Sequence, residues 1–157
     1  MDVSIVNRIL NSFNNIMQQL GFMNIKTGEI TIRDRTITSK GVMIIIGIIG
    51  DMQGNIIYSM TEEDAKKIAS VMMMGMKVEQ FDAMAQSAIS ELINMLSANA
   101  ATSLSDRGIV SDISTPTLIY GEFTANANKE KIINVNMELD GSIIEVDISL
   151  DVIKENY

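Results

Sequence analysis

Neither cysteine nor histidine occurs in the 157 residues, and there is one proline. Without cysteine there is no disulfide frame and no thiolate, which excludes the Cys-bearing zinc cages. Without histidine there is no Ser-His-Asp or Cys-His hydrolysis and no imidazole ligand for a metal. Basic side chains are scarce as well: 12 Lys and Arg against 20 Asp and Glu leave a formal charge of −8. That balance disfavours non-specific binding to nucleic acid or anionic lipid, both of which reward clustered Lys and Arg. Long hydrophobic runs are missing too. The longest, residues 42–49, falls far short of the ~20 residues that span a bilayer. The opening Met-Asp-Val-Ser-Ile lacks the basic flank and apolar block of a signal peptide. The expectation is a cytoplasmic domain over residues 1–157, with no nucleic-acid or membrane partner. At this length roughly 70% of the unfolded chain's surface can be buried without staples. Its chemistry must come from carboxylates, amides, hydroxyls or backbone.

Hydrophobic spacing divides the chain into blocks. Val6, Ile9, Leu10, Phe13, Ile16, Met17 and Leu20 recur at three and four residues, one face of a helix over 3–20, with Gly21 at its C-cap. Strands are predicted over 29–38, 42–49 and 55–60. The second is apolar on both faces and so is expected to be covered. Asp51-Met-Gln-Gly54 has the composition of a hairpin turn. Thr61-Glu-Glu-Asp64 starts a helix, a capping hydroxyl followed by an acidic first turn. That helix is expected to end near Gly75, with Met72-Met-Met74 packing in the core. A long helix follows over 80–105, then strands over 109–120, 131–139 and 142–151. Asp140-Gly141 is the hairpin signal between the last two. Val135, Met137 and Leu139, then Ile144, Val146, Ile148 and Leu150, alternate with polar residues, which predicts one wet sheet face. The order is helix, three strands, helix, helix, three strands. This is an α+β fold of two αβββ pseudo-repeats joined by a helix, with antiparallel sheets packed against long helices. Gly54-Asn-Ile-Ile57 and Gly141-Ser-Ile-Ile144 support the duplication.

From Ala83 to Leu104 the only charged residue is Glu91. At 100° per residue, Ser87, Glu91 and Asn94 fall within about 60° of one another. Opposite them lie Phe81, Ala85, Ile89, Leu92 and Leu96, the core stripe. Their neighbours Ser90, Ser97, Ala98, Ala101 and Thr102 are small. A lone carboxylate and amide on a face of small residues suits close approach by another surface. The same composition would also serve helix–helix packing within the domain.

Pro116, the only proline, follows 21 intervening residues after Asn94. The pattern S-x3-E-x2-N-x21-P resembles the signature of the CheC/CheX/FliY phosphatases of bacterial chemotaxis. The likeness extends through Gly50-Asp-Met-Gln-Gly54 and Met72-Met-Met-Gly75-Met. The first half has the spacing but not the chemistry. In Ser4-x3-Arg8-x2-Asn11, arginine replaces glutamate, and the position corresponding to Pro116 is Arg33. One complete motif, in the second half only, is the pattern of the CheX-like members, and it implies one site per protomer. Arg8 otherwise reads as solvated or helix-paired.

The resemblance implies a phosphatase for the aspartyl-phosphate of a CheY-type response regulator. Asn94 would orient the attacking water, and Glu91 would pair with the regulator's active-site lysine. Ser87 and Pro116 would support them. No cofactor is implied for this chain, Mg²⁺ being expected on the phosphorylated partner. A homodimer joined through a continuous sheet is implied as well, and the two-faced apolar run 42–49 gives a physical hint of it. Phosphoryl transfer has a loose transition state and needs mainly positioning and electrostatics. An amide that both donates to and accepts from water can supply that positioning. The rivals are a non-catalytic module of the same fold that docks a response regulator or flagellar-switch protein, and a metal-dependent hydrolase using Asp106, Asp112 and Glu122.

Overall fold

Helix α1 (Val3–Gln19) forms where the three-and-four spacing places it, in a computed structural model that describes residues 3–153. Its stripe Val6, Ile9, Leu10, Phe13 and Met17 is buried. The chain leaves through Gly21 at φ 104°, with the Phe22 N–H donating to the Met17 carbonyl at 3.2 Å. Strands β1 (Ile25–Thr27), β2 (Thr31–Thr38), β3 (Gly41–Gly50) and β4 (Met52–Thr61) follow. Helix α2 (Glu62–Met72) carries the expected cap: Thr61 Oγ1 accepts from the Asp64 N–H at 3.1 Å, ahead of three acidic residues. Helix α3 (Ala83–Ser105) starts at Asp82, whose Oδ1 accepts from the Ala85 N–H at 2.9 Å. Strands β5 (Ser111–Ile113), β6 (Thr117–Gly121), β7 (Thr124–Leu139) and β8 (Ser142–Val152) complete the described chain.

Both halves contribute to one eight-stranded antiparallel sheet in the order β1-β7-β8-β4-β3-β5, with β2 also on β7 and β6 also on β3. The order is symmetric about the β4–β8 pair. The first half's β1 and β2 lie on the second half's hairpin, and β5 and β6 return the exchange on β3. The duplicated pattern thus becomes a pseudo-twofold in which each half closes the other's sheet. Each half has four strands where three were predicted, β1 being one that the spacing did not show. The predicted strand over 109–120 is two strands, and β7 begins seven residues before the predicted start at Lys131. Alternation fails in both places because proline or small polar residues interrupt it.

The main core lies between one face of the sheet and the helices. Val42, Ile44, Ile46, Ile56, Tyr58, Val146 and Ile148 meet Phe13, Ile89, Leu92 and Leu96 there. The other face departs from expectation. A ribbon of β2 and the first part of β7 curls over it, and Ile37 and Ala127 pack on Met43 and Ile57. That face of β8 is therefore not wet at its centre: Asp147 and Ser149 are 0% and 1% exposed. Asn134 donates to Asp147 at 2.7 Å, Lys40 pairs with Glu145 at 2.7 Å, and Arg33 pairs with Glu145. Burial pushes the Asp147 carboxyl above its ordinary range, partly opposed by the Asn134 hydrogen bond and by Arg33. The same ribbon covers the second face of the 42–49 run, so no open apolar face remains at its centre.

Two further expectations change. The hairpin between β3 and β4 turns at Asp51, with Ile48 already opposite Gly54, so Gly54 is a strand residue and not part of the turn. Its φ is +138°, and a Cβ there would sit 2.0 Å from the Ser149 carbonyl oxygen on β8. Only glycine allows β4 and β8 to approach so closely. The Met72-Met-Met74 run is not core throughout. Helix α2 stops at Met72, the Gly75 N–H donates back to the Ser70 carbonyl at 2.8 Å, and Met74 (φ 60°) is 96% exposed.

Candidate functional site

The core stripe of α3 lies where the wheel places it: Ala85, Ile89, Leu92 and Leu96 are completely buried and Phe81 nearly so. That fixes the opposite face. Glu91 and Ser87 are exposed, and Asn94 is half-buried. Neither Glu91 nor Asn94 has a hydrogen-bonding or ionic partner among the described residues. The carboxylate and the amide are thus held by a packed helix yet left uncommitted. Packing within the domain does not use them.

The small residues around the pair divide between two roles. Ser97 faces inward, its hydroxyl 2.9 Å from the phenol of the buried Tyr58. Burial pushes that phenol up, partly opposed by the Ser97 contact. Asn99 donates to the Ser12 carbonyl on α1 at 3.1 Å. Ser90, Ala98, Ala101 and Thr102 remain half-buried or exposed.

Pro116 sits between β5 and β6, both of which pair with β3. Ile113 lies opposite Ile48 and Thr117 opposite Ile45, so three residues (114–116) oppose two (46–47). This is a β-bulge, and a proline is tolerated there because the ladder asks no N–H of it. Ser114 replaces the missing ladder bonds: its N–H donates to the Gly47 carbonyl at 2.8 Å, and its hydroxyl accepts from the Gly47 N–H at 2.8 Å. Ser114 was not apparent from the spacing. A serine two residues before a strand-breaking proline is the one signal that could have found it.

Of the corresponding positions of the first half, Asn11 is exposed, and Ser4, Arg8 and Arg33 are engaged structurally. Arg8 is half-buried, and its Nε donates to the Ser103 carbonyl at 2.9 Å. That carbonyl is in the last turn of α3, where acceptors lack helical partners and a cation suits the dipole. Ser4 accepts from Arg107 at 3.0 Å, and Arg33 holds Glu145. Arg8→Ala is therefore expected to leave the chemistry of the Glu91–Asn94 face intact while costing about 1–2 kcal/mol of stability, read by urea unfolding. No three acidic side chains among the described residues gather as a metal cage requires. Asp106, Asp112 and Glu122 lie apart, at the α3 C-cap, in β5 and in the turn after β6.

Residues 42–139, which contain Glu91, Asn94 and Pro116, match the family described as chemotaxis phosphatase CheX. The chain belongs to that family. A CheY-P phosphatase CheX from Thermotoga maritima is 36% identical over 121 residues, covering 77% of this chain and 78% of that protein. The CheX of a CheX–CheY–BeF3–Mg²⁺ complex from Borrelia burgdorferi is similar in structure, with TM-score 0.78 and 29% identity over 95% of this chain and 99% of that one. A CheX crystal structure from Desulfovibrio desulfuricans shares the fold at TM-score 0.83 and 20% identity, over 95% of this chain and 100% of that one. The α+β architecture is thus that of CheX and CheC-like proteins.

Proposed function

We propose that this CheX-family chain hydrolyses the aspartyl-phosphate of a CheY-type response regulator, with Asn94 positioning the water and Glu91 docking the regulator. The observation that carries the reading is the uncommitted Glu91–Asn94 pair on the otherwise uncharged outer face of α3. The Thermotoga relative, named as a CheY-P phosphatase, and the Borrelia complex of CheX with CheY support it. Water attacks phosphorus in line with the bond to the aspartyl oxygen. That bond breaks, the carboxylate leaves as a stable anion, and inorganic phosphate is released. The amide of Asn94 accepts one water proton's hydrogen bond and donates another to fix the attack angle. Glu91 pairs with the lysine of the regulator's active site, and Mg²⁺ belongs to the regulator. Ser87 and Pro116 act in support, Pro116 through the bulge on β3.

The deciding experiment mixes purified protein with phosphorylated regulator and times phosphate release against regulator alone. Binding without faster release would reduce the chain to a docking module. Glu91→Lys is expected to raise KM more than Asn94→Ala does, because it sets like charge against the partner's lysine. Such a contact costs several kcal/mol when desolvated. Because Glu91 is exposed, Tm should stay within about 1 °C of wild type.

The reading also expects a cytoplasmic homodimer. The open apolar face that would have argued for it is covered by the chain's own ribbon. Support now rests on the family resemblance and on the outer strand β2, which among the described residues pairs with β7 alone and carries Ile32, 73% exposed. Light scattering at micromolar concentration checks it. A mass of one chain, unchanged on concentration, would reject the dimer.

A further inference from the structure

Apolar side chains flank the Glu91–Asn94 pair. Met84 lies on the same stripe of α3 and is 63% exposed. It is about 10 Å from Glu91 along the axis and about 20° away around it, at 1.5 Å and 100° per residue. Met76, between α2 and α3, is 60% exposed and lines one shallow groove with Met84, Met73 and Val78, whose other walls are Lys77, Glu79, Gln80 and Asp82. The fold does not require these side chains outside, since the buried stripe of α3 faces the sheet.

We infer that Met76 and Met84 form an apolar docking platform for the same phosphorylated response regulator, an inference that rests on the function proposed above. An aspartyl-phosphate is part of a folded protein, so Asn94 reaches it only when that protein's surface lies on α3. A standard interface covers about 800 Å² on each partner, a patch roughly 30 Å across. Centred on Glu91 and Asn94, such a patch reaches Met84, which opens the groove that Met76 also lines. A single Glu–Lys pair at the centre of that patch loses most of its Coulombic gain to desolvation and contributes little net affinity by itself. Burying two methionines adds the apolar contact that such a pair lacks. Methionine also adapts its shape, so one platform can seat regulators whose surfaces differ. The regulator face it fits is therefore an apolar one beside the phosphorylation site.

The test compares wild type, M76S/M84S and M76L/M84L. Affinity for a regulator treated with beryllofluoride and Mg²⁺ is measured alongside phosphate release from the phosphorylated form. The serine pair is expected to raise Kd and KM about tenfold, two modest truncations at an interface, with kcat within twofold and Tm unchanged. The leucine pair should restore binding. An unchanged Kd in M76S/M84S overturns the platform, and so does loss of self-association with regulator binding intact. Wild type that binds through these methionines but releases no phosphate would instead overturn the phosphatase reading and leave the platform standing.

Discussion

Asn94→Ala should lower the rate of phosphate release by about 10²-fold, as loss of a preorganised hydrogen-bonding group does elsewhere. The loss should fall on kcat, with KM and binding to the beryllofluoride-treated regulator close to wild type. The reason lies in when the interaction is made. An amide that orients water acts chiefly as the P–O bond breaks, so its removal is felt in the transition state more than in the bound ground state. The structure makes the variant interpretable. Asn94 is half-buried with no hydrogen-bonding or ionic partner among the described residues, so alanine breaks no hydrogen bond or ion pair within the protein. Tm should therefore hold. Turnover within a factor of a few of wild type, measured by single-turnover phosphate release, would remove Asn94 from the chemistry.

The largest effect on stability is expected at Gly54. A methyl group there would lie 2.0 Å from the Ser149 carbonyl oxygen and 3.1 Å from the Leu150 Cα, on the neighbouring central strand. Both are backbone atoms, so relief requires β4 and β8 to separate. That pair joins the two halves of the sheet. Strain at φ +138° costs an alanine about 1–3 kcal/mol, and overpacking adds about as much. Gly54→Ala is thus expected to cost about 4 kcal/mol and lower Tm by roughly 10 °C. Gly141, at φ +88° with nothing within 4 Å of a built Cβ, is the control. There alanine should cost about 1 kcal/mol from conformation alone. Equal losses at the two positions, measured by urea unfolding, would show that the close approach at Gly54 relaxes freely.

The placement of Glu91 and Asn94 opposite the core stripe of α3 was legible because helical periodicity is local. One charged residue in a long amphipathic stretch, with a core stripe opposite, places the pair on the outer face without any tertiary information. The cap at Thr61 and the hairpin turn at Asp140-Gly141 were readable for the same reason, since each acts within a few residues. Gly54 was misread as a turn residue because its need for glycine comes from a strand about a hundred residues away. The Met72–Met74 run was misread because hydrophobicity predicts burial only while the helix continues, and α2 ends at Met72.

The alternating polar residues of β8 are the clearest case of what lies beyond local pattern. Alternation assigns residues to two faces, and it did so correctly for Ile144, Val146, Ile148 and Leu150. Whether the other face meets water depends on what crosses it. Here β2 and β7 do, so Asp147 and Ser149 are buried, and Arg33 and Lys40 neutralise the neighbouring Glu145. The sequence by itself determined the three helices, most of the strands, the caps, the existence of a duplication and the face of α3 that carries Glu91 and Asn94, all set by spacing within short stretches. The tertiary structure alone decided the exchange of edge strands between halves, the ribbon over the second face and the engagement of Arg8 with α3. Those depend on contacts between residues far apart in the chain, which periodicity does not encode.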